Sequence, residues 1–380
     1  MARRRAKGSG AVFRRGDGRW TGELDLGWDG ARHVRKNVYG SSRKEVEDRM
    51  RAVLNGRDDG LPPPSRSPHL DKFLEGWLAA IRPSIRPSTY ASYEGVVRLH
   101  IVPTIGRISL DKLTVDHVAA LVRRKQAEER LSSRSVRYVL LILRNALNKA
   151  VRWGAVARNV AALVDPPRVA HKDVRVLSPE ETSRLLTAAR GDQYESLVVL
   201  AISTGVRLGE ALGVTWADID LERRQMRIDK SLQRITGVGQ VVSETKTRRS
   251  RRTIVLPIIA AEALRRQLNN QRSQRRASGR GWPDGGFVFT SLNGRPLDAR
   301  NVQRGFRRIV RRAKLPRMRF HDLRHSCASL LLTQGVAPRV VMETLGHSRI
   351  AVTMDTYTHV MPALQREAAD AIDRSLAGER

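Results

Sequence analysis

The sequence contains few of the residues on which disulfide-bonded, zinc-binding or membrane-spanning proteins depend. Cys327 is the one cysteine in 380 residues, which excludes an internal disulfide and a zinc site of the Cys-x-x-Cys type. The longest apolar runs, such as residues 197–202, are far shorter than the roughly 20 residues that cross a bilayer. No apolar stretch follows the basic N-terminal residues, so we expect no secretory signal and a cytoplasmic location.

Acidic residues are also scarce relative to basic ones. The chain has 38 Asp and Glu against 70 Lys and Arg, which gives a formal net charge of +32. Such an excess indicates a polyanionic partner, either nucleic acid or an anionic membrane. Membrane binding usually needs an amphipathic apolar face or a lipid anchor, and the sequence shows neither. Nucleic acid is therefore the favoured partner, and we expect no membrane association.

The chain is predicted to be a multidomain α+β protein. Short alternating segments and Gly-containing turns predict three strands over residues 11–13, 19–26 and 31–39, followed by a helix over 43–54. Together they form a small domain over residues 1–60. Proline density predicts a linker over residues 61–68. Apolar residues at helical spacing then predict an all-α domain over residues 69–167.

Residues 168–380 are predicted to form a third, mainly α domain with a small antiparallel sheet. Strands are expected over residues 226–235, 240–245 and 253–256. A polar loop is expected over residues 271–281, and helices from residue 299 to the end.

Two segments of this third domain carry candidate anion-binding residues. In Thr204-Gly205-Val206-Arg207, one helix ends and another begins, which predicts Arg207 in the first turn beside unpaired backbone N–H groups. Residues 244–253 hold five basic residues and one acid between two predicted strands, which favours a basic hairpin tip along a nucleic-acid groove. Taken alone, an inter-helix surface arginine and a solvated charge run are the commoner explanations of these two segments.

Residues 300–319 hold nine Lys or Arg and no acid. Five of the arginines fall on one face of a predicted helix, where a merely solvated surface would usually mix both signs. We therefore expect phosphate contacts from this helix.

Downstream, His321-Asp322-Leu323-Arg324-His325 places His321 and Arg324 on one helix face. His321 and His325 are also spaced like metal ligands, but the acidic cluster that would complete a metal site is lacking, so no metal or other cofactor is expected. Leu345-Gly346-His347 ends a helix, and Tyr357 follows in polar surroundings. Either of these last two residues alone would be a packing residue.

The order of these residues resembles the tyrosine recombinase (phage integrase) family. Its ordered set is Arg, Lys, His-x-x-Arg, His or Trp, then Tyr. The matching positions are Arg207, Lys246, His321, Arg324, His347 and Tyr357. The resemblance implies a site-specific recombinase that integrates or excises the DNA of a phage or mobile element through a 3′-phosphotyrosine bond to Tyr357.

The resemblance also implies a role for each part of the chain. Residues 1–60 resemble an arm-type DNA-binding domain, 69–167 a core-DNA-binding domain and 168–380 the catalytic domain. His321 would act as the base for Tyr357, and Lys246 as the acid for the leaving 5′-hydroxyl. Double-stranded DNA with core and arm attachment sites, a homotetramer on DNA, an excisionase and a DNA-bending protein are the implied partners. The expected DNA-contacting residues are Arg3, Arg4, Arg5, Arg14, Arg15, Arg19, Arg248, Arg249, Arg304, Arg308 and Arg311.

Other functions fit part of the pattern. An Xer-like resolvase or a type IB topoisomerase-like enzyme would use the same chemistry, but the separate small sheet domain favours an integrase. A non-catalytic DNA-binding protein would explain the charge without explaining six catalytic residue types in order. A metal-dependent nuclease is disfavoured, because the sequence has no carboxylate cluster.

Overall fold

The computed structural model describes residues 11–16, 18–28, 33–58, 67–128, 131–170, 175–244, 251–278, 281–283 and 285–346, with 369–370, 372–374 and 376. The chain divides into two compact units, residues 1–169 and 170–380. In the described residues, no helix is both long enough and apolar enough to span a membrane. The further division of the first unit into an arm-type and a core-type domain stays a prediction.

The first unit begins with the small sheet that the sequence predicts. Strands β1 (Ala11–Arg14), β2 (Trp20–Trp28) and β3 (His33–Gly40) pair antiparallel in the order β1-β2-β3. Helix α1 (Arg43–Asp58) covers one face. Leu24 and Val38 from the sheet and Val46 and Met50 from α1 form a compact hydrophobic core, because alternate residues of each strand point to the same side.

The rest of this unit is helical, as expected. It contains α2 (Leu70–Ile81), α3 (Pro87–Val96), α4 (Val102–Ile105), α5 (Val115–Ala127) and α6 (Ser133–Arg152). The π-helical residues Val97–Ile101 join α3 to α4 without a break. Helix α6 is amphipathic, and its buried residues recur every three or four positions, which packs it against α2 and α5 in one core.

The second unit is built mainly from helices around a separate core. Its N-terminal half contains α7 (Pro179–Ala189), α8 (Glu195–Thr204) and α9 (Leu208–Gly213), and then the strands β4 (Ile219–Asp220), β5 (Gln225–Ile228), β6 (Lys230–Ile235), β7 (Gly239–Glu244) and β8 (Arg252–Val255). Its C-terminal half contains α10 (Ile258–Ser278), α11 (Ala299–Arg312), α12 (Asp322–Thr333) and α13 (Pro338–Leu345). Helix α8 is buried along almost its whole length, so it forms the centre of the unit.

The expected single strand over residues 226–235 is wrong. The segment breaks at Asp229 into β5, which pairs with β4 and β8, and β6, which pairs with β7 in a separate two-stranded sheet. Buried Asp218 accepts hydrogen bonds from Arg227 before the break and from Lys230 after it. This shared partner fixes the corner, and no period-2 pattern reveals it.

The expected polar loop over residues 271–281 is also wrong, because α10 continues to Ser278. Gln271 is buried, accepts a hydrogen bond from Trp216 Nε1 at 2.6 Å, and donates to the carbonyl oxygen of Phe287 at 2.9 Å. Its neighbours Gln, Arg and Ala are good helix formers. The polarity of the segment predicted a loop, whereas the Gln271 side chain is buried with its amide group hydrogen-bonded.

Candidate active site

Arg207 lies where two helices of the second unit meet. Helix α8 ends at Thr204 and is followed by Gly205, whose φ of +64° is a left-handed conformation that glycine adopts without the steric penalty of a side chain. Arg207 is extended and precedes the first residue of α9. The expectation that it lies within the first turn is therefore wrong by one position. The carboxylate of Glu210 accepts the backbone N–H of Arg207 at 3.2 Å, so this helix end is capped from within the chain.

The guanidinium of Arg207 has two further protein partners. Its Nη1 donates to Glu210 Oε1 at 2.6 Å, and its Nη2 donates to the carbonyl oxygen of Gly346 at 3.1 Å. About a third of the side chain remains exposed (37%). Since a guanidinium carries five N–H groups, these two bonds orient Arg207 and leave donors for an oxyanion ligand.

Arg324 approaches the same place from α12. It is 3% exposed, and its Nη1 donates to the carbonyl oxygen of Gly205 at 2.8 Å. This contact joins Arg324 to the backbone two residues before Arg207. The two arginines that the sequence analysis selected, 117 positions apart, thus converge at the end of α8. A pair of guanidinium groups can clamp two oxygens of one phosphate.

His321 directly precedes α12, without a side-chain capping hydrogen bond, and completes the described part of the cluster. Burial lowers the pKa of His321 below its ordinary value of 6.5, and the positive charges of Arg324, Arg319 and Arg207 lower it further. The ring is consequently neutral at pH 7 and can accept a proton. Neighbouring Asp322 is engaged by Arg319 at 2.8 Å, which leaves His321 without a strong acidic partner of its own among the described contacts.

The remaining three predicted catalytic residues, Lys246, His347 and Tyr357, lie outside the described residues. Their positions in the chain follow described elements. Lys246 comes two residues after β7 ends at Glu244, and His347 comes directly after Gly346, the residue that caps α13 with φ of +68°. Their part in the site stays a prediction. No group of three or more His, Cys, Asp or Glu suited to a metal ion occurs within the described ranges.

Comparison with known proteins assigns the chain to a family. Residues 175–363 match the model of the "Phage integrase family", and residues 69–125 match "Phage integrase, N-terminal SAM-like domain". An integrase of Streptomyces ambofaciens is 30% identical, with 97% of each chain covered. The chain belongs to the phage integrase family.

Further relatives support this assignment. A XerC-like tyrosine recombinase of Caldanaerobacter subterraneus is 29% identical over 90% of this chain and 92% of its own. Among solved structures, the Tn1549 transposon integrase bound to a circular intermediate DNA matches with a TM-score of 0.68 and 22% identity, over 80% of this chain and 100% of that one. A lambda integrase tetramer bound to a Holliday junction matches with a TM-score of 0.58 and 18% identity, over 89% of this chain and 95% of that one. These likenesses confirm the predicted fold class.

The residues expected to contact DNA have mixed surroundings in this integrase. Arg3, Arg4, Arg5, Arg248 and Arg249 lie outside the described residues. Arg14, Arg15 and Arg19 are exposed on and beside the N-terminal sheet. On α11 the buried side is apolar, and Arg304, Arg308 and Arg311 are exposed on the other side.

Arg308 of this set also has an internal role. Its Nη2 donates to Asp192 Oδ2 at 2.9 Å, and the Asp192 side chain is only 4% exposed. Arg308 thus satisfies a buried carboxylate, so a substitution of Arg308 would affect stability as well as any contact with DNA.

Sequence reasoning gave no role to two members of the site, Glu210 and Arg252. Glu210 is 3% exposed, and Arg252 Nη2 donates to its Oε2 at 3.0 Å. Glu210 stands three residues after Arg207, which is a capping-box spacing that the sequence displays. Arg252 carries no such signal, because it was one of five basic residues in a run that the sequence cannot rank.

Proposed function

We propose that this integrase cleaves and rejoins DNA strands with Tyr357 as nucleophile, and so integrates or excises a phage or other mobile element. The observation that supports the proposal most is the convergence of Arg207, Arg324 and a neutral His321 at the end of α8. A phosphodiester repels nucleophiles through its own charge, and attack adds negative charge to its oxygens. Preorganised donors placed where that charge develops stabilise the transition state.

The reaction exchanges one phosphate ester for another. The hydroxyl oxygen of Tyr357 attacks the phosphorus, its proton passes to His321, and the bond to the 5′-oxygen breaks as Lys246 protonates that oxygen. The product is a 3′-phosphotyrosine and a free 5′-hydroxyl. A 5′-hydroxyl from another duplex then reverses the steps. Since the energy of the phosphate ester is conserved, the reaction needs no ATP. It needs no metal ion either, because the two arginines supply the positive charge that a metal would otherwise provide.

The assembly follows from counting strands. A complete exchange between two duplexes cuts four strands, and each protomer offers one Tyr357. We therefore propose that four copies act together on DNA, with an excisionase and a DNA-bending protein as accessory partners. A single copy acting alone would relax DNA as a topoisomerase does, but it could not join two duplexes.

Features of the N-terminal unit suggest that different parts of it bind different DNA sites. On β1 and β3, Phe13 and Tyr39 face the same neighbour, Thr21 of β2, on the side of the sheet away from α1, and both residues are nearly half exposed (45% and 47%). Arg15 and Arg19, in the turn between β1 and β2, are exposed at the end of this sheet. An exposed sheet face with aromatic side chains and basic residues beside it suits a DNA groove. We propose that residues 1–60 bind arm sites and residues 69–167 bind core sites.

The deciding experiment looks for the covalent bond. The purified protein is incubated in EDTA, without ATP, with nicked duplexes made from the DNA that flanks its gene. After denaturation and nuclease digestion, peptide mass spectrometry is expected to find a nucleotide adduct on Tyr357. The Tyr357→Phe variant should bind the same duplexes and give no adduct. An adduct on another residue, or none on a duplex that the protein demonstrably binds, would reject the proposed chemistry.

A further inference from the structure

Neither the family resemblance nor the sequence pattern assigns a role to Arg252. It is the first residue of β8, and its side chain is 8% exposed. A buried guanidinium is unfavourable unless its N–H groups are paired. Its partners therefore show what the position does.

These partners lie on two other elements of the site. Nε of Arg252 donates to the carbonyl oxygen of Thr344 at 2.8 Å, at the end of α13. Its Nη2 donates to Glu210 Oε2 at 3.0 Å, on α9. A methyl group built on Gly346 would lie 2.9 Å from Nη1 of Arg252, so the guanidinium lies directly against that backbone. One side chain thus connects β8, α9 and the turn after α13.

Arg207 also contacts Glu210 and the end of α13. Glu210 binds both guanidinium groups: Oε1 accepts from Nη1 of Arg207, and Oε2 accepts from Nη2 of Arg252 as well as from the backbone N–H of Arg207. The turn is held in the same way, since Thr344 accepts from Arg252 and Gly346 accepts from Arg207. Burial raises the pKa of Glu210, but Arg252 and then Arg207 lower it by more, so the carboxylate stays ionised between them.

The consequence of losing Arg252 follows from these contacts. Glu210 would be a buried carboxylate with one guanidinium partner instead of two, and Oε2 would lack this charged donor. A buried carboxylate in that state pulls its remaining partner closer or turns toward it. Arg207 would then donate a further N–H to Glu210, and the carbonyl oxygen of Thr344 would lose its hydrogen bond from β8.

We propose that Arg252 is a positioning residue for DNA cleavage, which holds Glu210 and the Thr344–Gly346 turn so that Arg207 keeps its outward N–H groups for the scissile phosphate. The inference rests on the proposed function. Arg252 touches no reacting atom and acts through Arg207. Because a misplacement of about 1 Å in a catalytic group can slow a reaction about a hundredfold, the effect on cleavage should be large while DNA affinity changes little.

The test separates rate from affinity. Single-turnover cleavage of the nicked duplex that forms the Tyr357 adduct is measured at saturating protein, beside the Kd for the same duplex. For Arg252→Gln we expect a cleavage rate at least about tenfold lower per folded molecule, with a Kd within about threefold of the original. Arg252→Lys keeps the charge but cannot reach Glu210 and Thr344 together, so it should recover only part of the rate.

Arg227→Gln is the matched control. Arg227 pairs with Asp218 at 3.1 Å, Asp218 is a buried carboxylate whose second cation is Lys230, and neither Arg227 nor Asp218 contacts Arg207 in the described structure. This variant removes one of two cations from a buried carboxylate in the same unit. It should lower the melting temperature and leave the cleavage rate per folded molecule unchanged.

A double-mutant cycle shows whether Arg252 acts through Glu210. If it does, the variant carrying both Glu210→Gln and Arg252→Gln cleaves no more slowly than the slower single variant. Fully additive losses, or an Arg252→Gln rate equal to that of the Arg227→Gln control, would overturn the positioning role. The original protein serves as the reference in each assay. If it forms no adduct, the proposed function fails, whereas a wild-type adduct with an unaffected Arg252→Gln rate contradicts the Arg252 inference alone.

Discussion

Gly205 offers a sharp test of how the site is held, because its replacement by alanine meets two separate obstacles. Its φ of +64° is left-handed, which costs a residue with a side chain about 1–2 kcal/mol. A Cβ at this position would also lie 2.2 Å from Cδ2 of Leu345, and overpacking of a core costs typically about 1–3 kcal/mol. Alanine recovers about 0.4–1 kcal/mol by restricting the unfolded chain. We therefore expect Gly205→Ala to lower the free energy of unfolding by about 1–4.5 kcal/mol.

Gly191 provides the matched control for this substitution. Its φ is +71°, but a Cβ built there has no neighbour within 4 Å. Gly191→Ala thus carries the backbone penalty without the clash, and it should lower the free energy of unfolding by no more than about 1.5 kcal/mol. The difference between the two variants in urea unfolding measures the clash with Leu345.

Gly205→Ala should also slow DNA cleavage. The carbonyl oxygen of Gly205 accepts from Arg324, and Arg207 follows two residues later, so a shift of this turn displaces both arginines. We expect the folded fraction of Gly205→Ala to cleave DNA at least about tenfold more slowly. Combining Gly205→Ala with Leu345→Ala removes the clashing methyl group. The double variant should therefore lose less stability than the sum of the losses of the two single variants. A Gly205→Ala protein as stable as Gly191→Ala would refute this account of the turn.

Two further predictions concern acid stability and the N-terminal residues. Burial and then His321 lower the pKa of His325 from 6.5 to about 4, so the unfolded chain binds more protons between these pH values, and stability should fall by up to about 3 kcal/mol as the pH drops from 6.5 towards 4. In urea unfolding at pH 7.5, 6 and 5, His325→Gln should flatten this dependence, and equal slopes for both proteins would exclude His325 as its source. Deleting residues 1–60 should leave adduct formation on a core duplex intact and reduce integration into a full attachment site, whereas unchanged integration by the truncated protein would exclude an arm-binding role.

Periodicity in the sequence predicted most of the architecture, because local patterns determine it. The three strands and the helix of residues 11–58 appear close to their predicted bounds, and residues 70–152 are mainly helical, as predicted. The failures occurred where a distant partner decides the conformation. The strand break at Asp229 depends on Asp218, and the continuation of α10 through Gln271 depends on Trp216. Neither contact has a signature in the local sequence.

The site shows the same division between local and distant information. Arg207, His321 and Arg324 were recognisable because their order matches a family, and the structure brings all three together. Arg252 was not recognisable, since its contacts with Glu210 and Thr344 span 42 and 92 residues of chain. Its neighbour Arg251 is half exposed and pairs with Glu244, so two adjacent arginines in one basic run have opposite environments.

The way the arginines are anchored explains how the site retains its positive charge. An arginine fixed by a carboxylate is neutralised by it, whereas one fixed by a carbonyl oxygen keeps its full charge. Helix ends supply such oxygens, because the last carbonyl groups of a helix have no partner within it. Gly205 after α8, and Thr344 and Gly346 at the end of α13, accept hydrogen bonds from Arg324, Arg252 and Arg207 respectively. Glu210 is then shared between two of the three guanidinium groups. This arrangement holds three cations rigidly beside one carboxylate, and the excess charge is available to an incoming phosphate.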